Sequence, residues 1–432
     1  MAIIARKRTN RHRAAFKKSI EEVRLYKPAL WHPENEPICS KKKMKRLILL
    51  IYFLPFGING QVLDWTFETK GPIHNTPVIN ESIVYIGSAD GLFYALSEAD
   101  GVQKWSYNSK SPIYTDAAIW NDLVFFSNEA GRLIALNKHT GKLEWQFQAE
   151  PESSQDLWDY YRSSPVVCEE RIFWGNGDGN LYALDARTGI KNWSFQTEGP
   201  IHASAVVDNG TVFIGNFKGR LFAIDTETGV EKWKFQAIGS HYFPNAEFQR
   251  APLVHNGKIY IGSRDLNLYV LNKETGRGIW HFTEPGGSWI IATPLVHEGK
   301  VFFGSSDTYT FYALSEKSGK EKWNIRTYAR SYGSPLSYAS QILFPGFDGK
   351  IRAVEPETGN VLWTYQTHTS KINYGKLYDE NGKFRTDLKI NSALQGEQLI
   401  NALGPIVCTP LLIGQSLIFG SVDGKIYKIQ LP

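Results

Sequence analysis

The sequence predicts an all-β protein, an eight-bladed β-propeller of four-stranded antiparallel blades whose ring is closed by the N-terminal strand completing the last blade. Three observations predict it. The tryptophans Trp65, Trp105, Trp145, Trp193, Trp233, Trp280, Trp323 and Trp363 recur at intervals of 40, 40, 48, 40, 47, 43 and 40 residues, the signature of a repeat architecture. Each unit divides into four short runs of β-branched and aromatic residues with strand-like alternation, split by turn residues. The last unit stops after its third run, "KIYKIQLP", whereas "DWTFET" around Trp65 is a fourth run with no unit before it.

In chain order, residues 1–43 are a basic N-terminal extension and residues 44–60 read as a signal peptide: basic residues, the apolar run Leu47 to Ile58, then small and polar residues. Twelve apolar residues fall short of the ~20 that a membrane-spanning helix needs. Signal peptides normally begin a chain, yet 43 residues precede this one, so Met44 is expected to be the initiator, and the mature chain to start near Gln61 without a transmembrane span. Residues 1–60 carry 14 Lys and Arg against 4 Asp and Glu, which leaves 34 against 39 for residues 61–432. That acidic body argues against a nucleic-acid partner held through phosphate contacts. Of the three cysteines, Cys39 precedes the signal sequence, and Cys168 and Cys408 occupy different places in their units, so no disulfide framework is implied.

Residues 61–432 are the propeller. In the first unit the strands are "TPVIN", "IVYIGS", "LFYALS" and "QKWSYN", and the turns are Asn80-Glu81-Ser82, Ala89-Asp90-Gly91 and Ala99-Asp100-Gly101. Asp-Gly and Thr-Gly supply the positive φ that tight hairpins demand. Such a sheet cannot bury both faces alone, so each must lean on the next. A buried tryptophan removes roughly 150 to 250 Å² from water, an upper bound of about 4 to 6 kcal/mol. The eight tryptophans, from Trp65 and Trp105 through Trp280 to Trp363, are the expected blade-docking residues, buried between sheets.

The units differ in one place. From the third-strand residues Tyr94, Ile134, Tyr182, Phe222, Tyr269, Tyr312 and Arg352 to the next tryptophan the step is always 11 residues. From the tryptophan to the next first strand it is 12, 12, 20, 12, 19, 14, 12 and 47. Those connections lie on one face of a propeller, so a rigid disc carries variable loops on one side, where binding usually resides. The longest insertion covers residues 367–404, and the inserted segments are rich in aromatics. Trp158, Tyr161, Tyr242, Arg250 and Trp289 are the loop candidates for capturing a ligand or partner. Three residues before each first-strand reference position stand His74, Tyr114, Arg162, His202, Gln249, Ile291, Tyr332 and Val407, a ring expected to flank the mouth of the central channel. Its polar and aromatic members His74, Tyr114, Arg162, His202, Gln249 and Tyr332 complete the candidate set, as a ligand funnel or as side chains that satisfy the mouth.

Ala183, Asp185, Thr188, Gly189 and Trp193, repeated as Ala223, Asp225, Thr228, Gly229 and Trp233, spell Ala-x-Asp-x-x-Thr-Gly-x-x-x-Trp, with partial copies in the other units. This resembles the tryptophan-docking motif of the PQQ-like β-propeller family, over essentially all of residues 61–432. The resemblance implies that each tryptophan docks one blade to its neighbour.

Catalytic apparatus is sparse. His-x-x-x-His, Cys-x-x-Cys, Gly-x-Ser-x-Gly and phosphate-loop patterns are missing from the sequence. Asp90, Asp178, Asp348 and Asp423 precede glycine in hairpin turns, which explains them without a metal. Quinoprotein alcohol dehydrogenases of the resembling family hold PQQ and calcium beside an adjacent cysteine pair; this chain has no such pair and no Cys-x-x-Cys-His haem site. In layout it is most similar to the shorter, non-catalytic BamB-like members, although no cysteine follows the apolar run for lipidation. The expectation is an exported, periplasmic or extracellular monomer without cofactor. It would act as a binding or scaffold propeller through its loop-bearing face, in envelope protein assembly, on a protein partner or small ligand. The alternative is a PQQ-dependent dehydrogenase of alcohols or sugars.

Overall fold

The structure, a computed structural model, describes residues 61–432. The basic extension and the signal sequence expected over 1–43 and 44–60 lie outside the described residues. Eight four-stranded antiparallel sheets follow one another, seven of them built from four consecutive strands. The eighth joins Leu411–Ile413, Ser416–Gly420 and Lys425–Gln430 to the first strand of the body, Val62–Glu68. The N-terminal strand therefore closes the ring, with Val62 opposite Gln430 and Glu68 opposite Lys425.

Burial follows strand position. In each sheet the two middle strands are almost wholly buried, as at Ile83–Gly87 and Leu92–Ser97. The outermost strand alternates between exposed and half-buried residues, as at Gln103–Asn108. Side chains of adjacent sheets interleave: Phe93 stacks on Phe126 at 4.1 Å and Phe311 on Phe344 at 3.8 Å, each pair joining neighbouring blades.

The docking tryptophans show why Thr-Gly recurs. Trp145 lies over the next blade's Gly189, and its Nε1 donates to the Ala186 carbonyl at 3.2 Å. Gly189 needs its glycine twice, since φ is +72° and a Cβ would stand 2.5 Å from the Trp145 ring. The same pairing recurs in six other places. Trp105 covers Gly141 and donates to the Lys138 carbonyl at 3.1 Å, and Trp280 covers Gly319 and donates to the Glu316 carbonyl at 3.1 Å. Trp65, Trp193, Trp233 and Trp323 lie likewise over Gly101, Gly229, Gly276 and Gly359. Trp363 is the exception: it donates to Gln341 Oε1 within its own blade, at 2.9 Å. The reason is topological. The next blade is the composite one, where the chain ends replace the Thr-Gly turn.

Burial of these indoles corrects the sequence expectation. Trp65 alone among the eight is buried; Trp105, Trp145, Trp193, Trp233, Trp280, Trp323 and Trp363 are half-buried. They stand on the outermost strands, so one side of each ring meets the neighbouring blade and the other stays at the rim of the disc, in water. Each of the seven therefore contributes less than the bound for a fully buried indole.

The innermost strands, from Val78–Asn80 to Leu411–Ile413, are half-buried along their length and line a central channel. The 367–404 insertion, read from the sequence as a long loop, holds two helices, α1 (His368–Asn373) and α2 (Ala393–Asn401). Thr367 and Ser392 cap them, each side chain accepting a backbone N–H at the third helical position.

Candidate functional site

One connection dominates the loop-bearing face. Residues 149–165 run across the mouth of the channel and are tied to most other blades. Asp156 receives both guanidinium arms of Arg264 at 2.7 and 3.0 Å, and that guanidinium lies 4.1 Å from the centre of the Trp289 ring. Trp158 meets Trp289 edge to face at 5.8 Å. The Tyr160 carbonyl bonds His74 Nδ1 at 3.2 Å, and its ring packs edge to face on Phe347 at 5.5 Å. The Tyr161 hydroxyl donates to the Val407 carbonyl at 2.8 Å.

The long insertion closes the same place from above. Glu397 on α2 accepts from Trp158 Nε1 at 2.8 Å, from the Tyr160 hydroxyl at 2.9 Å and from Arg330 at 2.7 Å. Arg330 also reaches Asp307 at 3.0 Å. Beneath them, Tyr161, Trp289, Ile291, Tyr332, Phe347 and Val407 form one buried apolar cluster. The ring of mouth residues thus does not remain an open funnel; the chain fills it with its own side chains.

Arg162 and His202 anchor the far end of the same connection. Arg162 pairs with Glu129 at 2.8 Å, and the His202 imidazole lies between Asp159 at 3.0 Å and Glu152 at 3.3 Å. Burial alone would lower the His202 pKa, but hydrogen bonds to Asp159 and Glu152 outweigh it and the pKa is raised. Among the described residues His74 has no carboxylate partner; burial, with the Arg162 charge adding to it, pushes its imidazole down to about 4.

The two imidazoles give the mouth opposite pH responses. His202 stabilises as a cation, fully below its ordinary value of 6.5, and that contribution is lost as pH rises through its raised pKa. His74 stabilises as a neutral ring, and that contribution is lost as pH falls from 6.5 towards 4. Proteolytic nicking of residues 149–162 should therefore be slowest near pH 6 to 7. His202→Asn should abolish the alkaline rise in nicking and His74→Asn the acidic one, and unchanged profiles would show that neither ring governs the loop.

Ten of the eleven mouth and loop residues singled out from the sequence gather at this mouth or just beneath it. His74 packs on Tyr114 at 4.9 Å, the Arg250 guanidinium lies 4.4 Å from the centre of the Tyr161 ring, and the Tyr332 hydroxyl is hydrogen-bonded to Ser306 at 2.6 Å. Gln249 is buried in the channel wall. Tyr242 stays out, 72% exposed on the 237–252 connection. Sequence reasoning missed Asp156, Asp159, Glu397, Arg264 and Arg330. Arg264 carried a signal, since it follows the second strand of its unit where Ala89 stands in the first. The turn aspartates behave as hairpin residues: Asp90, Asp178 and Asp423 each accept from the hydroxyl of a tyrosine four residues on. Asp348 pairs with Arg352 in the corresponding place.

The family model described as outer membrane protein assembly factor BamB matches residues 59–235 and 244–382. The chain belongs to that family. No curated protein matches the sequence. Among solved structures, BamB from Moraxella catarrhalis is 18% identical with a TM-score of 0.64, over 86% of this chain and 98% of that one. The computationally designed Ika8 protein is 14% identical with a TM-score of 0.63, over 86% and 100%. The quinohemoprotein alcohol dehydrogenase ADHIIG from Pseudomonas putida HK5 is 13% identical with a TM-score of 0.61, over 86% and 76%. At these identities the likeness is one of fold, shared by a BamB, a designed protein and an oxidoreductase. The BamB family membership rests on the match to the family model.

Proposed function

We infer that the protein is an exported, monomeric, non-catalytic scaffold of envelope protein assembly, which holds a partner protein against its insertion-bearing face. One observation carries this: the mouth on that face is sealed by ion-paired and aromatic side chains, so it offers a firm surface and not a cleft for a small substrate. Apolar residues stand out from that surface, among them Ile238 at 68% exposure, Tyr242 and, on α1, Ile372. Membership of a family described by outer membrane protein assembly supports the setting. Among the described residues no helix is long and apolar enough to cross a membrane.

The scaffold reading is tested by Ile238→Asp with Tyr242→Asp, set against Ile190→Asp with Val230→Asp on turns of the opposite face, which are equally exposed. In cells lacking the natural copy, the first pair should lose restoration of outer-membrane protein levels and the second should keep it. Loss with the second pair alone, or with neither, overturns the choice of face.

Absence of a quinone cofactor belongs to the same reading. Aromatic rings pack on one another across the mouth, and among the described residues no three His, Cys, Asp or Glu side chains converge as a metal would need. Adding PQQ and calcium should leave the protein's absorbance unchanged and produce no dye reduction with alcohols or sugars; a shifted spectrum with turnover would favour the dehydrogenase alternative.

A further inference from the structure

Below the sealed mouth the channel is not filled. A cavity of about 260 Å³ lies there, lined by the innermost strands and the residues just before them, with Tyr161 closing it on the side of the mouth. At about 30 Å³ per water it would hold roughly nine waters, or one ligand of similar heavy-atom count. The inner strands beside it are half-buried, so it is accessible to water.

Its wall is chemically uneven. The residue immediately before each first-strand reference position is Thr76, Asp116, Ser164, Ser204, Ala251, Thr293, Ser334 or Thr409, a ring of hydroxyls broken by one carboxylate and one alanine. Backbone N–H groups tie part of the ring together: Thr76 donates to Asp116 Oδ1 at 2.6 Å, Asp116 to Ser164 Oγ at 2.8 Å, and Ser164 to Ser204 Oγ at 2.9 Å. The Ser164 and Ser204 hydroxyls thereby act as acceptors, and their own hydrogens are left for the cavity. Beside Ala251 the side chain of Arg250 enters, with Nη2 donating to Thr409 Oγ1 at 3.2 Å. Its Nε has no hydrogen-bond partner among the described residues. Arg250 lies within 4.0 Å of no carboxylate among them, although Asp116 lines the same cavity. Gln249, 2% exposed in the same wall, has no partner for either amide atom among the described residues.

A guanidinium and a carboxylate that share one enclosed space without touching, with a spare amide and spare hydroxyl donors around them, are complementary to a molecule bearing both charges. We propose that this cavity binds a small zwitterion the size of an α-amino acid, its carboxylate on Arg250 and the Ser164 and Ser204 hydroxyls, its ammonium on Asp116. Gln249 supplies the remaining polar contact after a side-chain rotation. A ligand with only an anionic group meets the Asp116 charge, and one with only a cationic group meets Arg250, so each half alone binds less well than the whole. Burial raises the Asp116 pKa, consistent with a carboxyl that gains from a cation brought to it.

The experiment titrates purified residues 61–432 with glycine, L-alanine, L-serine and L-glutamine, and separately with acetate and ethylammonium, following saturation transfer from protein to probe and the thermal midpoint. At least one amino acid should show transfer and raise the midpoint, and acetate and ethylammonium at equal concentration should do neither. Asp116→Asn and Arg250→Met should each weaken that amino acid about tenfold or more, as loss of a charge-assisted hydrogen bond requires. The wild-type titration stands by itself if either variant fails to fold. Silence from all four amino acids at 10 mM (about 100-fold above a 0.1 mM Kd) overturns the proposal and leaves a water-filled channel. Equal response to acetate overturns the zwitterion, and undiminished binding by both variants overturns the site.

Discussion

A chain that begins at Thr69, lacking Val62–Glu68, should lose the cooperative unfolding of the disc and self-associate. The strand it lacks has two duties. It pairs along Lys425–Gln430 to complete the last sheet, and it carries Trp65, whose indole covers Gly101 and donates to the Glu98 carbonyl of the first blade at 3.0 Å. The same seam holds Lys428, which reaches Asp64 at 3.2 Å and Glu98 at 2.6 Å, so three elements meet there. Trp65 is the most buried of the docking tryptophans, and losing its burial alone forfeits up to about 4 to 6 kcal/mol. The bared edge of Lys425–Gln430 would expose a row of unpaired backbone groups to the next molecule. Denaturant melts and light scattering of the two chains side by side measure the effect, and a synthetic peptide of residues 61–70 should restore the lost midpoint by strand addition. A truncated chain that stays monomeric with an unchanged midpoint would show that closure adds nothing.

How much of this was legible beforehand depended on whether the cause was local. The tryptophan, the Thr-Gly turn and the Asp-Gly hairpin satisfy demands that every blade makes in the same way, so they repeat in the sequence, and blade number and ring closure follow. The Trp363 exception follows from the same rule, because the next blade offers chain ends in place of Thr-Gly. The depth of burial did not follow: the spacing that puts Trp105 and Trp280 over their glycines is blind to how much of each indole the rim leaves in water. The constant position three residues before each first-strand reference also placed His74, His202 and Tyr332 at the mouth. What fills the mouth was not legible. Trp158, Tyr160 and Tyr161 find their partners 239, 237 and 246 residues away, and each contact occurs once. A repeat reports what its units share, and the seal is built from what they do not. The helices of the long insertion were hidden for a related reason: α2 is short and only weakly amphipathic, and it is held in place by Glu397, a charged residue where an apolar anchor would normally be sought.

That glutamate carries the second large effect. Glu397→Ala should destabilise the disc by about 3 to 5 kcal/mol, the usual consequence of removing one member of a buried ion pair. Arg330 would keep Asp307 as its remaining carboxylate, while Trp158 Nε1 and the Tyr160 hydroxyl would lose their acceptor inside an apolar cluster. Glu397→Gln should cost less, since an amide oxygen in the place of Oε1 can still accept the Trp158 and Arg330 bonds, although the Arg330 charge loses half of its compensation. Leu394→Ala on the same helix, at an exposed position, should stay within about 0.5 kcal/mol. Urea unfolding measures the three changes. Cleavage within Ala393–Asn401 under limiting protease should be accelerated by Glu397→Ala far more than the loss of global stability accounts for, because this carboxylate makes the hydrogen bonds that join α2 to Trp158, Tyr160 and Arg330, beside the packing of Ile400 on the mouth cluster. If Glu397→Ala and Leu394→Ala cost the same, the seal is held by apolar packing alone, and the solid face on which partner capture depends owes nothing to the buried charges.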